Sequence, residues 1–148
     1  MKYKLGERHE TENLYRIVAL KDFGTIEAGD VGGWVESEKN LSQSGLCWVF
    51  GDAIVCEDGW VFEDAEVFDR AQVSGDAWVY EDAVIFDNAR IYGDAWVFED
   101  AMVFGDAQVS EDGCVYGNAQ VFGNAKISGD DWVFGNAQVF DDSKKRCI

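Results

Sequence analysis

From Val49 to Lys144 the apolar and polar positions recur with a period of six that never slips, giving sixteen consecutive hexads. The first position is Val or Ile every time. The fifth is Ala in 12 of 16, and the fourth is Asp or Asn in 15 of 16, Arg70 being the exception. Six matches neither helix periodicity nor the two-residue alternation of a long strand. It predicts a short strand and a turn, repeated. The fifth and first positions point inward and their neighbours outward, as strand alternation requires. Val favours the strand, and Ala leaves room where the chain crowds. The third and fourth positions, Gly/Glu/Asp then Asp/Asn, make the corner. A left-handed backbone there is free for Gly and tolerated by Asp and Asn. The pattern describes a β-solenoid.

A second period sets the coil. Trp occupies one hexad slot at 60, 78, 96 and 132, and Ser the second position at 74, 110 and 128. All these separations are multiples of 18, so three hexads make one triangular coil. The pattern extends backwards: Val35 to Leu41 is six residues, and Leu41 to Val49 is eight, a two-residue bulge. Six coils then begin at 35, 55, 73, 91, 109 and 127. At about 4.8 Å per coil the prism is roughly 29 Å tall. The expected organisation is a cap over 1–34, the solenoid over 35–142 and a basic tail over 143–148. Within the cap, Leu14–Phe23 reads as a strand followed by glycine-rich turns. An open solenoid end needs such a cover.

Charge narrows the partners. The 148 residues hold 29 acids and 12 bases, a net charge of −17. A direct nucleic-acid or anionic-membrane partner needs the opposite sign. Hydrophobic residues at 47% exclude a disordered chain. The leader MKYKLGERHETEN has no apolar core of signal-peptide type, and no run of about 18 apolar residues occurs. A soluble, cytoplasmic protein is expected.

The motif V-x-[GED]-[DN]-A-x resembles the hexapeptide repeat of left-handed β-helix proteins, best known from acyltransferases. The lead-in YRIVALKDFGTIEAGDVGGWVESEKNLSQSG resembles the cap of a branch found in bacteria and their phages and labelled transferase-like. The resemblance implies an all-β, left-handed parallel β-helix in a bacterial cytoplasm. The hand comes from the resemblance, because the general rule for parallel crossovers favours the right hand. The family's transferases use a histidine base, and this chain has one histidine, His9, read as solvated in the polar leader. No long loop interrupts the hexads to shape an acyl-donor pocket. Cys47, Cys56, Cys114 and Cys147 show no CxxC spacing, which argues against zinc. Cys114 fills the Trp slot as a packing variant. The expectation is no catalytic residue, no metal, no cofactor and no enzyme, with a vestigial acyltransferase as an alternative.

The outward residues sort by face. The first shows Trp34/Glu36, Ile54/Cys56, Gln72/Ser74, Arg90/Tyr92, Gln108/Ser110 and Lys126/Ser128, mostly polar. The second shows Asn40/Ser42, then Trp60, Phe62, Trp78, Tyr80, Trp96, Phe98, Cys114, Tyr116, Trp132 and Phe134. The third carries Phe50, Phe68, Phe86, Phe104, Phe122 and Phe140, beside Trp48, Glu66, Val84, Met102, Gln120 and Gln138. That Phe column reads as a second contact or as ground under the cap or tail. Monomers rarely expose large apolar patches. Nine rings on the second face, each able to bury roughly 150–250 Å², approach the ~800 Å² per partner of a standard interface even at half that value. A homodimer through this face is expected. Rings that merely stack rung on rung, and a sugar-stacking platform, are the alternatives.

Residues 49–142 hold 21 acids against Arg70, Arg90 and Lys126, a balance of −18. That is roughly one charge per 1.6 Å, close to the value of about 1.7 Å for B-DNA. The densest run follows the second face: Glu63, Asp64, Glu81, Asp82, Glu99 and Asp100. Eleven acids sit at the fourth position, where the corner suits Asp. Asn would serve without charge, yet Asp is used 11 times against 4. Calcium between stacked carboxylates is a minor alternative. Asp131, in an inward Ala slot, reads as fraying or a buried hydrogen bond. The functional expectation is a non-enzymatic acidic protein-binding module. Its sharper form is a phage-encoded DNA mimic that inhibits a basic nucleic-acid-binding defence protein of the host, of anti-CRISPR or anti-restriction type. A structural or assembly solenoid is the alternative.

Overall fold

In the computed structural model, which describes residues 1–141, each hexad contributes a two-residue strand made of its sixth position and the first of the next. These strands build three parallel sheets. Along each of them a residue pairs with its equivalent one coil later: Trp60 with Trp78, Val84 with Met102, Arg90 with Gln108. The first-position residues from Val35 to Val139 all lie inside with the Ala side chains, and form one continuous core. The protein is thus an all-β solenoid of about six coils. Among the described residues no helix is long and apolar enough to cross a membrane.

The turns close by two repeated hydrogen bonds. The fifth-position N–H donates to the second-position carbonyl, as Ala53 does to Phe50 at 3.1 Å. The fourth-position N–H donates to the third-position carbonyl of the next coil, as Asp94 does to Glu111 at 2.8 Å. The left-handed residue is the third, not the fourth. Glu57, Glu63, Asp69, Glu81, Asp87, Glu99 and Glu111 have φ of 55–60° there, and Gly fills the other described corners. This corrects the sequence reading, in which Asp and Asn at the fourth position served the strained backbone. At Gly93, φ +65°, an added Cβ would lie 2.6 Å from the Glu111 amide nitrogen, so some corners have no room to spare.

The N-terminal end is closed by three strands: β1 (Tyr3–Arg8), β2 (Tyr15–Ala19) and β3 (Val31–Val35). They pair antiparallel in that order, and β3 then pairs parallel with Ile54–Val55, so they extend the first sheet. The strand expected over 14–23 ends at Ala19, and Phe23 turns back to bridge Ile26. Phe23 and Tyr3 pack edge-on against Trp48 at 5.3 and 6.3 Å. Trp48 is therefore buried and not on the outside of the third face. The Phe column beyond it stays on the surface, stacked at 4.3 Å for Phe50–Phe68 and 4.8 Å for Phe86–Phe104.

The bulge before Val49 leaves carbonyls with no partner in the coil above. The buried Lys2 ammonium supplies one, donating to the carbonyls of Gly45 (3.2 Å) and Cys47 (2.9 Å). Burial lowers its pKa, which the neighbouring Cys47 partly opposes. Asn40, expected outside, is fully buried. Its Oδ1 accepts from the N–H groups of Glu36 and Ser37, and its Nδ2 donates to the carbonyls of Glu57 and Gly59, all at 2.8–3.0 Å. Asp131 is half-buried, and its main chain keeps the hydrogen bonds of the Ala slot. The tail expected over 143–148, with Cys147, lies outside the described residues.

Each buried polar group left without a partner costs about 1–3 kcal/mol. Asn40→Ala orphans three, the Ser37 N–H and the Glu57 and Gly59 carbonyls, while the Glu36 N–H keeps the Val55 carbonyl. It is expected to lower the unfolding free energy by about 3 kcal/mol or more in urea titrations. Asn40→Asp is expected to destabilise too, because a carboxylate cannot donate to the Glu57 and Gly59 carbonyls.

Candidate functional site: an aromatic face between two acid columns

Parallel stacking turns one aromatic slot into a column. Phe62, Tyr80, Phe98, Tyr116 and Phe134 stack at centroid distances of 4.7, 5.0, 4.9 and 5.5 Å. Beside them stand Trp60, Trp78, Trp96, Cys114 and Trp132. Trp78 and Trp96 stack at 5.3 Å, while Trp60 lies on Phe62 at 3.8 Å and edge-on to Trp78. All nine aromatic residues singled out from sequence share this face. Stacking half-buries most of them, and Trp96, Trp132 and Phe134 remain exposed.

Carboxylates line both long edges. On one side run the residues named from sequence: Glu63 and Asp64, Glu81 and Asp82, Glu99 and Asp100, all exposed except the half-buried Glu81. Burial pushes the Glu81 carboxyl up, and Glu63, Glu99, Asp82 and Asp100 add to this. The other edge was missed. Asp58, Asp76, Asp94, Asp112 and Asp130 occupy the same corner in five successive coils. Four of them, with Trp78, Trp96, Cys114 and Trp132, line an open groove of about 810 Å³. The signal was in the chain as D-x-[WC] repeated every 18 residues. Desolvation raises the Asp76 pKa, and so do the charges of Asp94 and Asp58 on either side of it. Asp76 is exposed to water, so the two like charges are the durable cause of that shift.

A second cleft, of about 660 Å³, lies where the leader crosses the first face. His9, Glu12, Trp34, Glu36 and Cys56 contribute to its lining. His9 packs edge-on against Trp34 at 4.9 Å, and its Nδ1 accepts from the N–H groups of Thr11 and Glu12. It is therefore half-buried and anchored, not a solvated leader residue. Arg16 covers Trp34 at 4.1 Å and pairs with Asp52 at 3.0 Å. Burial, with Glu57, Glu36 and Glu12, pushes the Cys56 thiol up to about 11. Cys47, Cys56 and Cys114 are free thiols. Among the described residues no group of three or more His, Cys, Asp or Glu side chains is placed to hold a metal ion.

The raised carboxyl groups set a pH dependence. Their folded-state pKa values lie above the unfolded ones, so the folded chain holds protons more tightly. Stability therefore rises as pH falls from neutral towards the ordinary carboxylate range. Thermal melts are expected to show a higher Tm at mildly acidic than at neutral pH. The gain should shrink in Asp76→Asn with Glu81→Gln. A Tm that falls over the same interval would contradict the repulsion ascribed to the two columns.

No family model matches the chain. It is similar to YdcK of Escherichia coli (strain K12), an uncharacterized acetyltransferase, with 38% identity over 48 residues. The match spans 32% of this chain and 15% of that protein. It fits the hexapeptide-repeat β-helix reading of the fold. It also overturns the expectation that the chain is not an enzyme, because the relative carries an acetyltransferase name. That expectation rested on a histidine count, a solvated His9 and the lack of an inserted loop to shape an acyl-donor pocket. Proton transfer can equally be run by carboxylates or thiols, and His9 sits in a cleft with both.

Proposed function

We propose that this chain is an acidic binding module whose working surface is the aromatic face with its two carboxylate edges, and whose partner is a basic, nucleic-acid-binding protein. The observation that carries the reading is the pair of acid columns flanking stacked rings. Two lines of negative charge with flat rings between them, on a stiff rod, reproduce the charge layout of duplex DNA in outline. Glu63, Glu81 and Glu99 also hold left-handed φ values, at a conformational cost of roughly 1 kcal/mol each, where Gly would have none. A phage-encoded inhibitor of a host defence protein is the sharper form of the same reading. A homodimer through this face is the competing occupant, and it would bring acidic edges towards each other.

Protamine, a basic DNA-binding protein, serves as the probe. Its complex with the chain is expected to weaken steeply with salt and to be displaced by duplex DNA. Glu81→Lys with Glu99→Lys is expected to lower affinity at least tenfold. Salt-independent binding, or an unchanged affinity in the double variant, would overturn the reading. For the dimer, light scattering of Trp78→Asp with Trp96→Asp decides: a mass equal to wild type removes it.

A second reading, acetyl transfer, is favoured by the similarity to YdcK. Heat on titration with acetyl-CoA, lost in a His9→Ala variant that still melts cooperatively, would support it.

A further inference from the structure

The tryptophan column is interrupted once. Trp60, Trp78 and Trp96 fill successive coils, Cys114 the next, and Trp132 the one after. The neighbouring column runs on without a break through Phe98, Tyr116 and Phe134, so the gap belongs to one column only. Trp132 stands 73° to Tyr116 of the coil before, as Trp78 stands 83° to Phe62, and Trp96 is parallel to Trp78 within 7°; Trp60, lying on Phe62, is the exception. Two coils of about 4.8 Å separate Trp96 from Trp132, so the opening is roughly 10 Å from ring to ring. A flat group placed halfway would lie within stacking distance of both. These two rings are also the most open of their column, 40% exposed at Trp96 and 62% at Trp132. The half-buried Cys114 lies between them, and Asp94, Asp112 and Asp130 line the same groove.

We infer that this gap is a slot for an arginine side chain of the basic partner, with the guanidinium lying flat between Trp96 and Trp132 and paired with the aspartates alongside. The inference rests on the basic-partner reading above and gives it a contact point. Charge selects a cation: of the four carboxylates that line the groove, Asp94, Asp112 and Asp130 belong to the corners beside the gap. Burial, then Asp112, raises the Cys114 pKa, which keeps that thiol neutral. Shape selects arginine among cations. Guanidinium is planar, weakly hydrated, stacks on aromatic faces and offers a fork to a carboxylate. A lysine ammonium is a compact point charge that would meet the aspartates and leave both ring faces bare. A neutral ring would fill the thickness and leave the charges unanswered.

The test titrates the full chain with oligo-arginine and oligo-lysine peptides of equal length, read by calorimetry and tryptophan emission. Oligo-arginine is expected to bind at least tenfold more tightly and to quench emission. Cys114→Trp fills the gap without touching a charge; it should erase the preference and leave oligo-lysine affinity unchanged. Cys114→Ala should keep the preference, and Trp132→Ala, which removes one wall, should reduce it. Equal affinities for the two peptides, or a preference that survives in Cys114→Trp, would overturn the slot. Oligo-lysine binding that falls with salt, with no gain for arginine, sinks the slot alone. If neither peptide binds, the basic-partner reading falls with it.

Discussion

The structure depends on one constraint: the N–H of each outward strand residue reaches the carbonyl of an inward residue one coil later, as Trp78 reaches Ala95 and Tyr80 reaches Val97. That register places every side chain on top of its equivalent. Inside, the result is a column of Val and Ile beside a column of Ala, with little freedom in size. Outside, like meets like. Rings gain from this, since each lies close to stacking distance from the next. Carboxylates lose, since each faces the same charge at about the rung spacing. The surface of this protein combines one favourable and one unfavourable outcome of the same rule.

Where the repeat breaks, the ladder no longer supplies partners, and distant residues do so. The bulge ahead of Val49 has carbonyls that Lys2 satisfies from more than 40 residues away. The turn at 38–40 is held by Asn40, whose side chain bonds two N–H groups behind it and two carbonyls of the next coil. Both residues are buried because the polar groups they answer are buried.

This explains what could be read from sequence. Positions that obey the period were legible: all eighteen inward Val, Ile and Leu residues, the three faces, and the nine rings on the second. Positions outside it were not. Lys2 and Asn40 look like ordinary polar surface, because nothing local announces the carbonyls they meet. Trp48 has the outward slot of its hexad, but Phe23 and Tyr3 fold over it from the leader. The Asp58–Asp130 column was visible as a repeat and missed for a different reason. The fourth position was credited with the left-handed corner, which made its Asp residues look structural. In the structure the third position carries that conformation.

That reassignment changes the weight of the charge. All corners share one backbone geometry, so the backbone gives no reason to prefer Asp over Asn at one edge and not at another. Yet the fourth position differs by edge. Beside the Trp column it is Asp in all five coils: 58, 76, 94, 112 and 130. On the far edge of the aromatic face it is Asp64, Asp82 and Asp100, then Asn118 and Asn136. At the third edge Asp52, Arg70, Asn88, Asp106 and Asn124 are mixed. Folding alone would let the three edges drift alike, because Asn occupies the corner without repulsion. The uniform edge is the one with the most repulsion to lose by substitution, and it borders the one column of rings that has a gap. Charge kept where it destabilises the stack, next to the most open rings, is what the proposed binding of a basic partner would account for.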